Sequence, residues 1–494
     1  MSTMIKLIVN HGYAAEAANI IRLFYGKRQI DIVNFEALEI NQSLFQVDEI
    51  LLQSLLDIQD EVIVAKTILH LQDENKEYSE EYLINTEKQK KEAVKLTMYK
   101  LLSVHHEKTY PWGILTGIRP IKIVHELMDK DYSEEYIEAL MMSKHLVSMD
   151  KAKLAVEIAK RERSFIYPLD NKKVSVYIGI PFCPTRCHYC SFTSNSLKTC
   201  GGLVEGYLTA LIFEMEQTHA FMNKYNLKVQ TMYIGGGTPT SLNEEQLDRL
   251  LAKSYELFGE SLAEFTCEAG RPDTITEGKL RVLKKRGVTR ISINPQTMND
   301  ETLELIGRAH SSEETIKSFE LARKLGFDNI NMDIILGLPG EGMDHLERTL
   351  EAIEKLQPES LTVHTMAIKR ASIINENLDS VSDKGNTSDM MKLTIEYAKK
   401  QNLHPYYLYR QKNMIENLEN IGYSKAGFEC IYNIQIIEEK QTNIAFGADA
   451  ITKTVFTDEN RIERQANIKD IGLYISRIDE QINKKLKLLE ELYK

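Results

Sequence analysis

From Val174 onward the chain alternates short apolar runs with amphipathic stretches, and this regularity constrains the fold more than any other feature. Strand-like runs fall at Val174–Ile180, Val229–Ile234, Glu264–Glu268, Thr289–Asn294, Asn329–Ile335 and Ser360–Met366. Helical periodicity occupies the intervals near 203–223, 243–257, 276–286, 300–325 and 343–356, with another near 388–402. Strands that alternate with helices pair in parallel through right-handed crossovers. Six such units are too few for a closed eight-fold barrel, so an open six-stranded α/β barrel is expected over residues 166–404.

In parallel β/α folds the functional groups sit at the C-terminal ends of the strands. Each chemically suggestive stretch of this chain falls there. The first strand runs into PFCPTRCHYCSF, which sets Cys183, Cys187 and Cys190 in a C-x3-C-x2-C spacing. Three thiolates this close converge on one centre only if the chain wraps it as a tight loop. A four-iron cluster needs four ligands, so three local cysteines hold three irons and leave one iron open. The alternative, a zinc knuckle short of one ligand, fits the spacing poorly. His188 is a candidate fourth ligand, although it would crowd a loop pinned on both sides. The second strand ends in Gly235-Gly236-Gly237-Thr238-Pro239-Thr240, a loop whose backbone can approach a ligand closely but which lacks the Gly-Lys-Ser/Thr ending of a P-loop. Glu268 ends the third strand, Asn294 to Gln296 end the fourth, and Asp333 lies near the end of the fifth.

Composition narrows the classes. The 494 residues are 43% apolar and 27% charged, ordinary for a globular protein of two or three domains. No apolar run approaches the ~18 residues of a membrane span, and the N-terminus lacks a signal-peptide pattern. A cytoplasmic location is expected. The net charge of −11 argues against a large nucleic-acid surface. Cys200, Cys267 and Cys430 lie outside the loop and read as buried apolar positions, although Cys200 is near enough to matter.

Two flanking regions complete the organisation. Residues 1–165 carry strand-like runs at Ile5–Val9, Ile30–Phe35 and Val62–Leu69, a helix around Ala14–Phe24 and a charged helix over 86–104, a small α+β accessory domain with connecting helices. KEYSEEYL before that charged helix reads as an exposed connection. Trp112 and Arg119 either border a substrate site or pack and cap structurally. Residues 405–494 are expected to be mainly helical and to cover the substrate, with amphipathic helices over 462–492. HPYYLYRQKN at 404–413 either stacks on a ligand, with Arg410 and Lys412 as cations, or packs as an aromatic strand.

The cysteine loop, with Tyr189 before its last cysteine, resembles the signature of radical S-adenosylmethionine (SAM) enzymes. YIGIPFC, GGGTPT and LIGRAH, in that order, resemble the oxygen-independent coproporphyrinogen III dehydrogenase family over about residues 165–450. The resemblance implies a partial (β/α)6 radical SAM barrel and a [4Fe-4S] cluster on the three cysteines, with SAM chelated to the open iron. It implies that Gly236, Gly237 and Thr238 meet the amino group of the methionine moiety, that Glu268 and Gln296 help hold SAM, and that Arg308 pairs its carboxylate. Asp333 would bind the ribose, Ala367 and the Tyr189 backbone would line the adenine, and Tyr177 would stand beside cofactor and substrate. The implied chemistry is one-electron cleavage of SAM, hydrogen abstraction from a propionate of coproporphyrinogen III, and loss of carbon dioxide and an electron to leave a vinyl group. Repeated once, it gives protoporphyrinogen IX. A low-potential donor such as flavodoxin or ferredoxin and a monomeric chain are expected. Two departures stand out. Phe192 replaces the fourth cysteine of the extended C-x3-C-x2-C-x-C motif, and Tyr432-Asn433 with Ile436 and Ile437 breaks the His-Asn-x-x-Tyr-Trp word of the related haem chaperones. The competing reading is a haem-binding or haem-delivery protein that has lost the oxidation; an enzyme acting on transfer RNA is less compatible with the acidic charge.

Overall fold

The computed structural model describes residues 4–26, 28–34, 50–59, 62–71, 75–83, 86–117, 119–190, 195–367, 387–411 and 414–494. Phe192, Lys412 and Asn413 therefore lie outside the described residues. Two compact units are present, Met1–Val156 with Gln411–Leu418, and Glu157–Arg410 with Glu419–Lys494.

In the first unit the strands β1 (Ile5–Val9), β2 (Ile30–Asn34), β3 (Ile50–Gln59), β4 (Val62–His70) and β5 (Asn75–Leu83) form one sheet in the order β2-β1-β3-β4-β5. Along β4 every second residue is buried, as a strand with one face on a core requires. The helices Ala14–Tyr25 and Glu87–His105 supply that core with Ile20, Ile21, Val94 and Leu102 against Leu7, Leu52 and Leu69. A capping box between Thr86 and Gln89 starts the second helix. The stretch expected to be an exposed connection is instead β5, whose polar side chains alternate on an edge strand. Trp112 is fully buried, so it offers no face to a ligand.

The second unit is organised by an eleven-stranded sheet. Its centre consists of β6 (Lys173–Ile180), β9 (Lys228–Gly236), β10 (Glu264–Glu268), β11 (Arg290–Ser292), β12 (Ile330–Leu336) and β13 (Ser360–Thr365), which follow one another in sequence and in space, all parallel. The short β7 (Phe182–Cys183) and β8 (Asn195–Ser196) pair with each other outside this sheet. Strand burial is nearly continuous, as expected when helices cover parallel strands. Register decides the site. Gly179 lies opposite Gly235 and Ile180 opposite Gly236, so the cysteine and glycine loops leave the sheet side by side.

Two further expectations need correction. The single helix over 300–325 is two helices, Asp300–Leu305 and Ser312–Lys324, because Gly307 takes φ +74° and turns the chain between them. The region 405–494 is not mainly helical. It adds β14 (His404–Tyr409) and β15 (Asn420–Ser424) beyond β13, and β16 (Thr442–Phe446), β17 (Ile451–Phe456) and β18 (Arg461–Ala466) beyond β6. The physical reason is that β6 has a free edge, which β16 satisfies by parallel pairing from Thr442↔Val174 to Phe446↔Ile178.

The helices Ile471–Ser476 and Ile478–Tyr493 are fastened to this extension by a buried polar cluster. Lys485 Nζ lies 2.6 Å from the Glu214 carboxylate and 2.6 Å from the Ala445 carbonyl, with both charged side chains fully buried. Tyr474 Oη, Asn467 Nδ2 and the Gly447 amide also donate to Glu214. Tyr207, on the same helix as Glu214, donates to the Gly179 carbonyl and accepts from the Ala448 amide. The loop after β16 is thereby tied to the strand that leads into the cysteines. Among the described residues no helix is long and apolar enough to cross a membrane.

Candidate active site

The cysteine loop is seated against the glycine loop beside it. Cys183 and Cys187 are buried, Cys190 is half-buried, and the Cys190 amide donates to the Cys187 carbonyl at 3.1 Å to close a turn. The Gly237 amide donates to the Ile180 carbonyl and the Thr238 amide to the Phe182 carbonyl, both at 2.8 Å. Thr238 Oγ1 lies 3.4 Å from Cys183 Sγ. A Cβ at Gly237 would stand 2.7 Å from the Phe182 carbonyl oxygen and 2.9 Å from Cys183 Sγ, so only glycine permits this approach. Gly236, at φ +109°, is likewise packed against Ile180. Burial, opposed by the Thr238 hydroxyl, pushes the Cys183 thiol up to about 11, so occupancy by metal must drive its deprotonation.

His188 packs its ring at the Gly307 turn. Its amide donates to the Ile306 carbonyl at 2.9 Å and its Nδ1 lies 3.0 Å from the Leu305 carbonyl. It docks the cysteine loop onto the Gly307 turn. Cys267 and Cys430 are buried away from the loop, the latter with its thiol 3.3 Å from Glu264.

Around this loop the strand ends assemble two polar groups. In the first, Glu268 accepts the Tyr233 hydroxyl at 2.5 Å and the Gly236 amide. Tyr233 stacks on Tyr432 with ring centroids 4.6 Å apart, and Tyr177 is parallel to both at 6.4 and 6.3 Å. Burial pushes the Glu268 carboxyl up to about 7, helped by the charge of Asp333 and opposed by Tyr233, Gly236 and Arg290. Burial also acts on Asp333, but hydrogen bonds and charge from His364, with Asn331 and Thr362, outweigh it and hold Asp333 below the ordinary carboxylate value. His364 Nε2 is 3.7 Å from Asp333 Oδ2, and Asn331 donates to Oδ1 at 2.7 Å. Glu268 and Asp333 thus have different protonation tendencies within one site.

Gln296 joins this group through its backbone, donating to the Asp333 carbonyl and accepting from the Ile335 amide, both at 2.9 Å. It holds φ +67°, costly for a residue with a side chain, and its buried Oε1 has no hydrogen-bond partner. In the second group, buried Arg308 directs Nε and Nη2 at the Tyr189 hydroxyl (3.2 and 3.1 Å) and Nη1 at the Gly270 carbonyl (3.1 Å). Ala367 is half-buried just beyond β13.

Three residues of this site escaped the sequence reading. Tyr233 shares the strand face of Gly235 by two-residue periodicity, a usable signal. Arg271, three residues past Glu268, reaches the cysteine loop, and His364 sets the state of Asp333; neither lies in a recognisable word. In HPYYLYRQKN, Tyr406, Tyr407 and Arg410 are buried, as an aromatic strand requires, while Tyr409 places its hydroxyl 3.5 Å from His364.

Comparison with known proteins is consistent with this geometry. Residues 177–353 match the radical SAM superfamily. The oxygen-independent coproporphyrinogen-III oxidase-like protein HemZ of Bacillus subtilis is 44% identical over 412 residues, covering 82% of each chain. The heme chaperone HemW of the same species is 34% identical over 282 residues, 56% of this chain and 70% of the relative. The structure of Escherichia coli coproporphyrinogen III oxidase HemN, a radical SAM enzyme, superposes with a TM-score of 0.52 at 23% identity, covering 66% of this chain and 73% of that one; this likeness bears on the fold. The superfamily carries a [4Fe-4S] cluster and SAM. The residues present fit those groups: a three-thiol loop, a glycine cradle that any Cβ would fill, and an unpartnered buried oxygen on Gln296. On this fold, these motifs and the 44% identity, the chain belongs to the radical SAM superfamily, among the oxygen-independent coproporphyrinogen III oxidase-like proteins.

Proposed function

We propose that the protein oxidatively decarboxylates propionate side chains of coproporphyrinogen III to vinyl groups, giving protoporphyrinogen IX without oxygen. The observation that carries the radical reading is the seating of Cys183 against Thr238 and Gly237 at the ends of two adjacent strands. The substrate rests on the likeness to a coproporphyrinogen-III oxidase-like protein over 82% of both chains.

In this reading Cys183, Cys187 and Cys190 hold the cluster. Gly236, Gly237, Thr238, Glu268, Gln296, Arg308 and Asp333 hold SAM, with Tyr189 and Ala367 beside its adenine. When bound, the two groups supply the one-electron chemistry that removes a hydrogen atom from a substrate C–H bond. The chain's own residues orient and exclude. Asp333, kept ionised by His364, accepts hydroxyl donors. Arg308 supplies a fixed planar cation. Glu268 is partly protonated near neutral pH and so both donates and accepts. Tyr177 and Tyr233 present an aromatic wall beside Glu268, a surface on which a tetrapyrrole can lie. The propionate loses one hydrogen atom, then carbon dioxide and one electron, the electron passing to an external one-electron acceptor, and the remaining two carbons become the vinyl group. A flavodoxin or ferredoxin supplies the reducing electron in this scheme. Residues 1–165 form the accessory domain, 166–404 the catalytic barrel and 405–494 the substrate cover; Tyr432 stacking on Tyr233 supports the last assignment.

The second reading, haem binding without oxidation, draws on the 34% identity to a heme chaperone. Against it, the position of the chaperones' histidine is Tyr432, which is buried in the stack. Anaerobic incubation of the reconstituted protein with SAM, a reductant and coproporphyrinogen III separates the two. Vinyl tetrapyrrole together with 5′-deoxyadenosine supports the dehydrogenase; neither product, with tight haem binding, supports the chaperone-like role.

A further inference from the structure

We propose that Arg271 sets the reduction potential of the cluster by placing a fixed positive charge against the Cys187 ligand. This rests on the reading of Cys187 as a cluster ligand.

Arg271 emerges just beyond β10, only 4% exposed. Its guanidinium is divided between two jobs. Nε and Nη2 form a fork on Asp273, at 3.0 Å to Oδ1 and 2.8 Å to Oδ2. That leaves Nη1 directed at the cysteine loop, where it lies 3.0 Å from the Thr185 carbonyl, 3.0 Å from Thr185 Oγ1 and 3.8 Å from Cys187 Sγ. The turn beneath is held as well. The Thr274 amide and hydroxyl both donate to the Arg271 carbonyl, at 2.9 and 2.7 Å, and Thr240 Oγ1 lies 2.7 Å from Thr274 Oγ1. The cation is therefore preorganised and cannot swing to solvent without breaking the fork.

Cys183 and Cys187 differ in their surroundings. Cys183 faces the Thr238 hydroxyl, a neutral partner. Cys187 faces a buried guanidinium. Arginine remains charged at any working pH, and few water molecules screen a charge at this depth. Reduction adds one electron to a cluster and its thiolates. A nearby cation and an N–H···S contact stabilise that added charge more than they stabilise the oxidised form, which raises the potential. Asp273 partly offsets the cation, so the pair acts as a graded setting.

The test uses the full chain with its cluster reconstituted under anaerobic conditions, titrated by dithionite and followed by electron paramagnetic resonance of the reduced cluster. Arg271→Gln is expected to hold iron and sulfide as the parent does and to show a more negative midpoint potential, with Arg271→Lys closer to the parent. Asp273→Asn, which unmasks the cation, is expected to shift the potential the other way. Opposite shifts from neighbouring substitutions cannot come from a loosened loop. Where Arg271→Gln fails to hold a cluster, the sign of the Asp273→Asn shift still decides. Unchanged potentials, or shifts of the same sign in both variants, overturn the proposal. A Cys187→Ser protein that keeps the parent's full cluster content overturns instead the ligand reading beneath it.

Discussion

The Tyr233 hydroxyl donates to the Glu268 carboxylate across 2.5 Å, joining the second and third strands of the barrel at the rim where the glycine loop begins. The Gly236 amide donates to the same carboxylate. Both contacts favour the ionised form, yet burial and the charge of Asp333 outweigh them, and the carboxyl titrates at about 7 rather than 4.5. Under the proposed function, a site taking both a cationic sulfonium cofactor and an anionic substrate would gain from a carboxyl whose charge follows its occupants.

This raised value makes stability depend on pH in a definite direction. Between 4.5 and about 7 the folded chain keeps a proton on Glu268 that the unfolded chain has lost. Stability falls as pH rises through that window and is level above it. Across the whole window the effect is on the order of 3 kcal/mol. Glu268→Gln removes it, so denaturant unfolding of the cluster-free chain at pH 5 and pH 8 should differ less in the variant than in the parent. An identical pH dependence in both would contradict the assignment.

Lys485 and Glu214 test the fastening of the C-terminal helices. Replacing Lys485 by Met leaves a carboxylate buried among Tyr474, Asn467 and the Gly447 amide without its cation. The expected loss is about 3–5 kcal/mol, read from chemical unfolding. The double variant Lys485→Met with Glu214→Gln should recover part of the loss, because the orphaned charge is then gone.

Gly237→Ala places a methyl group against the Phe182 carbonyl and Cys183 Sγ. The helices and sheet do not depend on this contact. Circular dichroism should match the parent while iron and sulfide retained after reconstitution fall several-fold. Full iron content in this variant would show that the cysteine loop is seated elsewhere when loaded.

The order and type of the six central strands were readable because each carries an apolar run bounded by turns, and the strand-end rule then located Cys183, Glu268 and Asp333. What failed has physical causes. Apolar periodicity continues through Leu303 and Ile306, which hides the break that Gly307 imposes at φ +74°. Arg461–Ala466 is an edge strand of mostly polar residues, so its alternation imitates the polar face of a helix. Asn75–Leu83, another polar edge strand, imitates an exposed connection instead. The links from Tyr233 to Glu268 and from Arg271 to Cys187 join positions 35 and 84 residues apart, and no local pattern encodes such meetings.

Hydrogen transfer from substrate to cofactor is the central claim, and isotopic labelling tests it most directly. Coproporphyrinogen III carrying deuterium on the propionate carbon adjoining the ring is incubated anaerobically with the reconstituted protein, SAM and reductant. The 5′-deoxyadenosine formed should carry that deuterium and accumulate with the vinyl product, and Cys183→Ala should yield neither. Unlabelled 5′-deoxyadenosine, or labelled substrate returned intact by a protein that binds haem tightly, would contradict the assignment.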